Sequence, residues 1–324
     1  MKLDMKKQNV TKSQKVKVGR KPLWKKVADN KILLLMCLPA IIFFIVFFYM
    51  PMPGAYLAFT NFNYKKGIFG SEFVGFDNFK FLINSGKLWM LTRNTILYNL
   101  AFIIFGNILQ IIIAILLNEV RNKFFKKVSQ TIMFLPYFIS AVLVGLLAFN
   151  ILNYDYGFLN TVIKQFGGAP LKVYQTAKMW PVIIVIAQLW QQTGYGSIVY
   201  FAAICGIDAE MVEASQVDGA NIIQKIRYII LPSLKPTAII LFLFAIGGIM
   251  KGNFGLFYNL VGSSNATLWP YTDIVETFVY RTLMNNFNFP YASAVGLYQS
   301  IFGFVVVMVS NWLVRKADKD YALF

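Results

Sequence analysis

Six stretches without a charged residue, at positions 32–49, 96–117, 132–149, 180–203, 237–250 and 291–314, decide what this chain can become. A helix rises 1.5 Å per residue, so about 20 apolar residues cross about 30 Å of hydrocarbon. A soluble globule has no use for that much apolar sequence. Of the 324 residues 57% are hydrophobic and 14% charged, against about 25% charged in ordinary soluble domains. The expected fold is all-α and polytopic, with six transmembrane helices. The fifth stretch counts only 14 residues before Lys251, so it must continue past that lysine toward Leu260 or be irregular at its far end. The first is too long and too aromatic for a signal-peptide core, and no small-residue cleavage site follows it, so it reads as a permanent anchor.

Basic residues set the orientation. With the amino terminus inside and one crossing per stretch, the cytoplasmic segments 1–31, 118–127, 204–236 and 315–324 hold 11, 4, 3 and 3 Lys or Arg, and the opposite side holds 10. The excess belongs in the cytoplasm, which places both termini there. Residues 1–30 form a basic tail, expected to be a disordered topology signal. No aromatic residue interleaves its charges before Trp24, so the stacking faces of a nucleic-acid groove are missing. The rest, 31–324, forms one membrane domain. Its outer connections, 61–93, 151–178 and 261–290, suit small helices that make a lid or docking rim. One such helix has Asp77 as its expected N-cap, and Gly167-Gly168-Ala-Pro170 marks a turn.

Enzyme chemistry has little to work with. There is no His, and the only cysteines, Cys37 and Cys205, lie 168 positions apart, so they are expected to pack as small apolar residues rather than pair. Asp273 and Glu276 are the one carboxylate pair at i, i+3 outside the cytoplasmic segments. Two carboxylates on one helical turn do not flank a bond as glycosidase pairs do, and a solvated or capping face is expected. No G-x-x-x-x-G-K-[ST] occurs, so the chain cannot cradle ATP phosphates.

The long cytoplasmic loop at 206–236 carries the most information. Asp208 is a natural N-cap for a helix through Val217, with Glu210 in its first turn where the helix dipole favours negative charge. Asp218-Gly219 breaks it, and Gly219 permits a sharp reversal. A second helix is expected to place Ile222, Ile223, Ile226 and Ile230 on one side until Pro232. Ala214, Ser215, Gly219 and Ala220 are small enough for another protein to approach closely, while Glu213 and Asp218 offer carboxylates for orienting hydrogen bonds. Read without any comparison, the loop fits an ordinary interfacial connection equally well.

Glu213-Ala-Ser-Gln-Val-Asp-Gly-Ala220, followed by Leu231-Pro232 and Pro236, resembles the EAA loop of importer-type ABC permeases. Ser215 stands where a second Ala is usual and Ile226 where an aromatic is usual. The segments 246–254, 273–280, 294–300 and 311–312 are similar to the carbohydrate-uptake branch that includes alginate and rhamnogalacturonan importers. The resemblance implies a permease subunit of the bacterial inner membrane with a homologous second permease, most simply as a heterodimer. It also implies two ATPase subunits that bind ATP and Mg, an extracytoplasmic solute-binding protein, and no cofactor in this chain. Uptake of oligosaccharides or polysaccharide fragments would then proceed by alternating access. An ATP-independent sugar carrier or channel is the competing reading.

Sugars are held by polar side chains and by aromatic faces, and such groups are costly in a membrane unless they face a pathway or a partner helix. The fourth stretch carries Gln188, Trp190, Gln191, Gln192, Thr193 and Tyr195. By similarity to the maltose permease, Gln191, Gln192 and Tyr195, with Met250 and Asn253 in the fifth stretch, fall at pocket positions. Asn253 matches the maltose permease and Met250 departs from it. The alternative for each amide is glue between helices. Lys251 has two readings, a side chain that snorkels to the interface or a cation that meets an anionic sugar. Asn107, Gln110 and Gln299 are further pathway candidates.

Overall fold

The computed structural model describes residues 30–262 and 265–317; the basic tail lies almost wholly outside them. Two units divide the chain, one through Pro53 and one from Gly54. In the first, α1 (Lys31–Phe44) runs into a wider π turn, Ile45–Tyr49.

The second unit contains the other spans. After the short helix α2 (Asp77–Asn84) comes α3 (Lys87–Glu119), then α4 (Lys123–Phe134) and α5 (Ala141–Leu152). The fourth span is α6 (Trp180–Cys205), and the loop helix α7 (Ala209–Val217) leads into α8 (Ile222–Gly247). A break at 248–253 precedes α9 (Phe254–Val261), α10 (Val275–Met284) and the last span, α11 (Phe289–Ala317). The one β element among the described residues is a ribbon in the connection before α2, pairing Thr60 with Phe73.

Four apolar helices are continuous, and the third and fourth apolar regions belong to helix pairs bent by 96° and 73°. The 96° bend falls inside the third expected span, between Lys123–Phe138 and Ala141–Leu152. Pro136 sits in the tight turn Leu135–Phe138, and Ser140 caps α5 by accepting from the Leu143 N–H. Backbone groups freed at such a bend need new partners in a membrane, and Gln191 Nε2 supplies one by donating to the Ile139 carbonyl at 2.8 Å. Close approach does the rest: a Cβ on Gly194 would lie 1.8 Å from the Met133 carbonyl oxygen, and one on Gly145 2.4 Å from that of Asn259.

α3 and α6 pack along each other. Between them the Tyr200 hydroxyl donates to Asn107 Oδ1 at 2.6 Å, and Gly196 lets the Gln110 amide lie against its backbone. Asn107 and Gln110 therefore hold helices together. One apolar cluster (Ala114, Tyr200, Ile204, Ile230, Leu234) joins α3, α6 and α8 at the end carrying α7, and two others lie beyond it.

Three local expectations change. Phe76, not Asp77, is the N-cap of α2; Asp77 is its first helical residue and pairs with Lys80 at 2.9 Å. Cys37 and Cys205 are free, as expected, but exposed. Pro232 does not end the second loop helix. A π turn at Ile226–Ile230 absorbs the missing proline N–H, with the Leu231 N–H reaching back to Ile226 O and Ser233 Oγ donating to Ile229 O. Ile230 and Ile226 turn inward, whereas Ile222 and Ile223 are exposed.

Candidate functional site

The α7 loop is built from two interlocking end motifs. Asp208 caps α7 by accepting from the Glu210 N–H at 3.0 Å. At the other end the Ala220 N–H donates to Ser215 O and the Gly219 N–H to Gln216 O, with Gly219 at φ +74°. This is a Schellman closure, which needs a left-handed residue at that position. Asn221 and Gln224 then form a reciprocal capping box that starts α8.

The reversal is therefore fixed by hydrogen bonds at every step. Ser215 is turned inward, its hydroxyl donating to Val212 O at 2.7 Å, while Glu213, Ala214, Asp218 and Gly219 are exposed and Ala220 is half-buried. Val217 is 89% exposed at the tip. The tip of the loop thus carries an exposed apolar side chain beside two exposed carboxylates.

The second constellation gathers around the break in the fifth span. Gln188, Gln191, Gln192 and Tyr195 share one face of α6 by helical spacing. Gln188 Oε1 accepts from Asn253 Nδ2 at 3.0 Å, and Asn253 Oδ1 caps α9 through the Leu256 N–H. Gln191 is spent on the bend at Ile139. Gln192 is half-buried. Tyr195 stands 46% exposed and stacks on Tyr137 at 4.6 Å, with Phe134 beside it, forming an aromatic shelf.

Met250 and Lys251 part company. The Met250 side chain is 2% exposed in the core with Val275, Phe278 and Val295. Lys251 is exposed and lines a cavity of about 470 Å³ with Gly252, Glu276, Gln299 and Ser300.

Glu276 holds the break in place, a role the sequence reading missed. Its Oε1 accepts from the Gly252 N–H at 2.7 Å and from Gln299 Nε2 at 2.8 Å, and Gln299 also donates to Met250 O. A Cβ on Gly252 would meet Ile274 Cδ1 at 2.2 Å and Glu276 Oε2 at 2.8 Å, so any larger residue would have to displace these side chains. The signal available in sequence was a Gly and a Lys interrupting an apolar run.

Asp273 turns the other way and is 3% exposed. Arg281 pairs with it and Thr277 Oγ1 donates to it, and the guanidinium stacks 3.7 Å above the Trp269 ring. Burial, the larger influence, pushes its carboxyl above the usual carboxylate range against the pull of Arg281 and Thr277. The expected solvated or capping face is thus replaced by two carboxylates with separate structural tasks.

Comparison with known proteins places this geometry. Residues 106–319 match the family described as binding-protein-dependent transport system inner membrane component, and the chain belongs to that family. It is 34% identical over 305 residues to the polygalacturonan/rhamnogalacturonan transport system permease protein YteP of Bacillus subtilis, covering 94% of each chain. Protein LplB of the same organism is 31% identical over 90% of this chain and 91% of its own.

Among solved structures, a chain of the bacterial alginate ABC transporter, in complex with an alginate pentasaccharide-bound periplasmic protein, superposes with TM-score 0.82 at 31% identity. The match covers 92% of this chain and 98% of that one. The expected six-span permease fold is borne out. The chain is a transport subunit that works with a solute-binding protein, ATP hydrolysis belongs to a separate subunit, and the ATP-independent carrier is set aside.

Proposed function

We propose that this chain is one of two homologous membrane subunits of an ATP-driven importer that takes up oligosaccharides or polysaccharide fragments, acidic ones among them. The observation that carries the reading is α7, a short exposed helix closed by the Gly219 reversal and tipped by Val217, in a chain of a binding-protein-dependent family. Glu213, Ala214, Ser215, Asp218, Gly219 and Ala220 form the element that docks on one of two ATPase subunits, where ATP and Mg are bound. The second permease is a different chain. Both termini are cytoplasmic, in a bacterial inner membrane.

Substrate passes along the face of Gln192 and Tyr195 and the break at Lys251, with Gln188, Gln191, Met250 and Asn253 packed behind as the supports of that path. The likeness to a polygalacturonan/rhamnogalacturonan permease and to an alginate transporter supports an acidic polymer fragment. Lys251 supplies a cation at the cavity. ATP closes the ATPase pair, the coupling helices move with it, and the permeases open outward to receive sugar from the binding protein.

The test is ATPase activity in liposomes holding this chain, its partner permease and the ATPase, with binding protein loaded with acidic or neutral oligosaccharides. Stimulation by loaded binding protein, greater for the acidic class, is the expected result. No stimulation by any sugar in an intact complex, with Glu213→Ala silent, would remove the reading.

A further inference from the structure

α3 ends on a carboxylate. Glu119 is the last residue of a 33-residue helix, where the helix dipole disfavours negative charge. Its Oε1 lies 2.7 Å from Lys225 Nζ, with the two side chains 27% and 17% exposed. Pairs open to water on all sides contribute little, but this one is largely withdrawn from solvent, which strengthens the attraction between its partners.

Lys225 belongs to the first turns of α8, which the capping box at Asn221 and Gln224 fixes to the Schellman closure of α7. From Glu213 to Lys225 every joint is hydrogen-bonded. Beneath the ion pair, the apolar cluster of Ala114, Tyr200, Ile204, Ile230 and Leu234 binds α8 to α3 and α6. The start of α8, and through its cap the α7 loop, is thus tied to the long span by a directional polar contact laid over a packed apolar base.

We infer that the Glu119–Lys225 ion pair is the strut that passes displacement of the α7 loop into α3, making both residues positioning residues for coupled import. This rests on α7 being the element that docks on the ATPase. An apolar base tolerates sliding, whereas a short ion pair between two helix ends does not, so the pair sets the register in which the loop and the span move together.

The experiment uses the complete complex in proteoliposomes with loaded binding protein, and reads sugar imported per ATP hydrolysed beside the yield of intact complex. Glu119→Gln and Lys225→Met are each expected to leave complex yield and ATP hydrolysis within about twofold. Import per ATP should fall about tenfold, within the usual range of coupling between sites. The exchanged double variant, Glu119→Lys with Lys225→Glu, should recover most of that ratio, which a purely structural loss would not do. An unchanged ratio in both single variants, or an intact double variant that recovers nothing, overturns the strut. Glu213→Ala separates the two readings. If it uncouples import while Glu119→Gln does not, the strut alone fails; if it is silent, the docking reading fails and takes the strut with it.

Discussion

Lys251 and Arg281 are both cations, and their surroundings differ. Arg281 is committed to Asp273 and to the Trp269 ring. Arg281→Met is expected to destabilise the protein by about 3–5 kcal/mol by leaving the Asp273 carboxylate buried without its partner. Adding Asp273→Leu should restore most of the loss, as read by thermal unfolding of the purified complex; two equal losses that add would sink this account. Lys251 is exposed at a cavity, where on the proposed reading it meets substrate. Lys251→Met should lower import of acidic oligosaccharides about tenfold, the effect of removing about 1.4 kcal/mol of charge pairing, with neutral ones little changed. Equal effects on both classes in a competition assay would show that the lysine only snorkels. The polar residues of the fourth stretch were legible in sequence as a group, but their individual duties were not. Gln191 and Gln188 find partners on Ile139 and Asn253, 52 and 65 residues away, and such pairings are decided by packing.

At the scale of elements, local chemistry made the α7 loop readable. An Asp cap and a Gly reversal each act within a few residues, so their outcome does not wait on the rest of the fold; the Asn221-x-x-Gln224 box, equally local, was not read from the sequence. Gly219→Ala tests the reversal directly. Nothing lies within 4 Å of an added Cβ there, so the cost is backbone strain alone, about 1 kcal/mol. Import per ATP should drop with complex yield unchanged, and a drop in yield alone would count against the loop's role. The 96° bend was not legible, because Pro136 and Ser140 sit in a stretch whose apolarity fits a straight span equally well. What makes the bend tolerable is Gln191 on a different helix. Pro232 shows the converse. It reads as a helix stop, and the π turn before it carries α8 through.

For the molecule as a whole, burial is incomplete by design. Within the most apolar windows of α3, α8 and α11 only 28%, 17% and 17% of residues are buried inside the chain. Lipid accounts for some of the remaining surface, and on the proposed reading a second permease covers the rest. Co-expression with that permease should raise the yield of monodisperse protein severalfold over this chain alone, measured by size-exclusion chromatography; equal yields would argue against an obligatory heterodimer. Hydropathy made the number of spans legible, because crossing a membrane is a demand each segment meets by itself. Which of their faces look inward was not, since that depends on neighbours along the fold.

The length of α3 has a mechanical meaning. At 33 residues it is a rod about 50 Å long, well beyond the thickness of the hydrocarbon it crosses. A tilt of about 5° about its Glu119 end carries the Lys87 end through about 4 Å. If the α7 loop docks as proposed, the helix acts as a lever: an adjustment at one membrane face, no larger than a side-chain rearrangement, becomes a displacement of several ångström at the other.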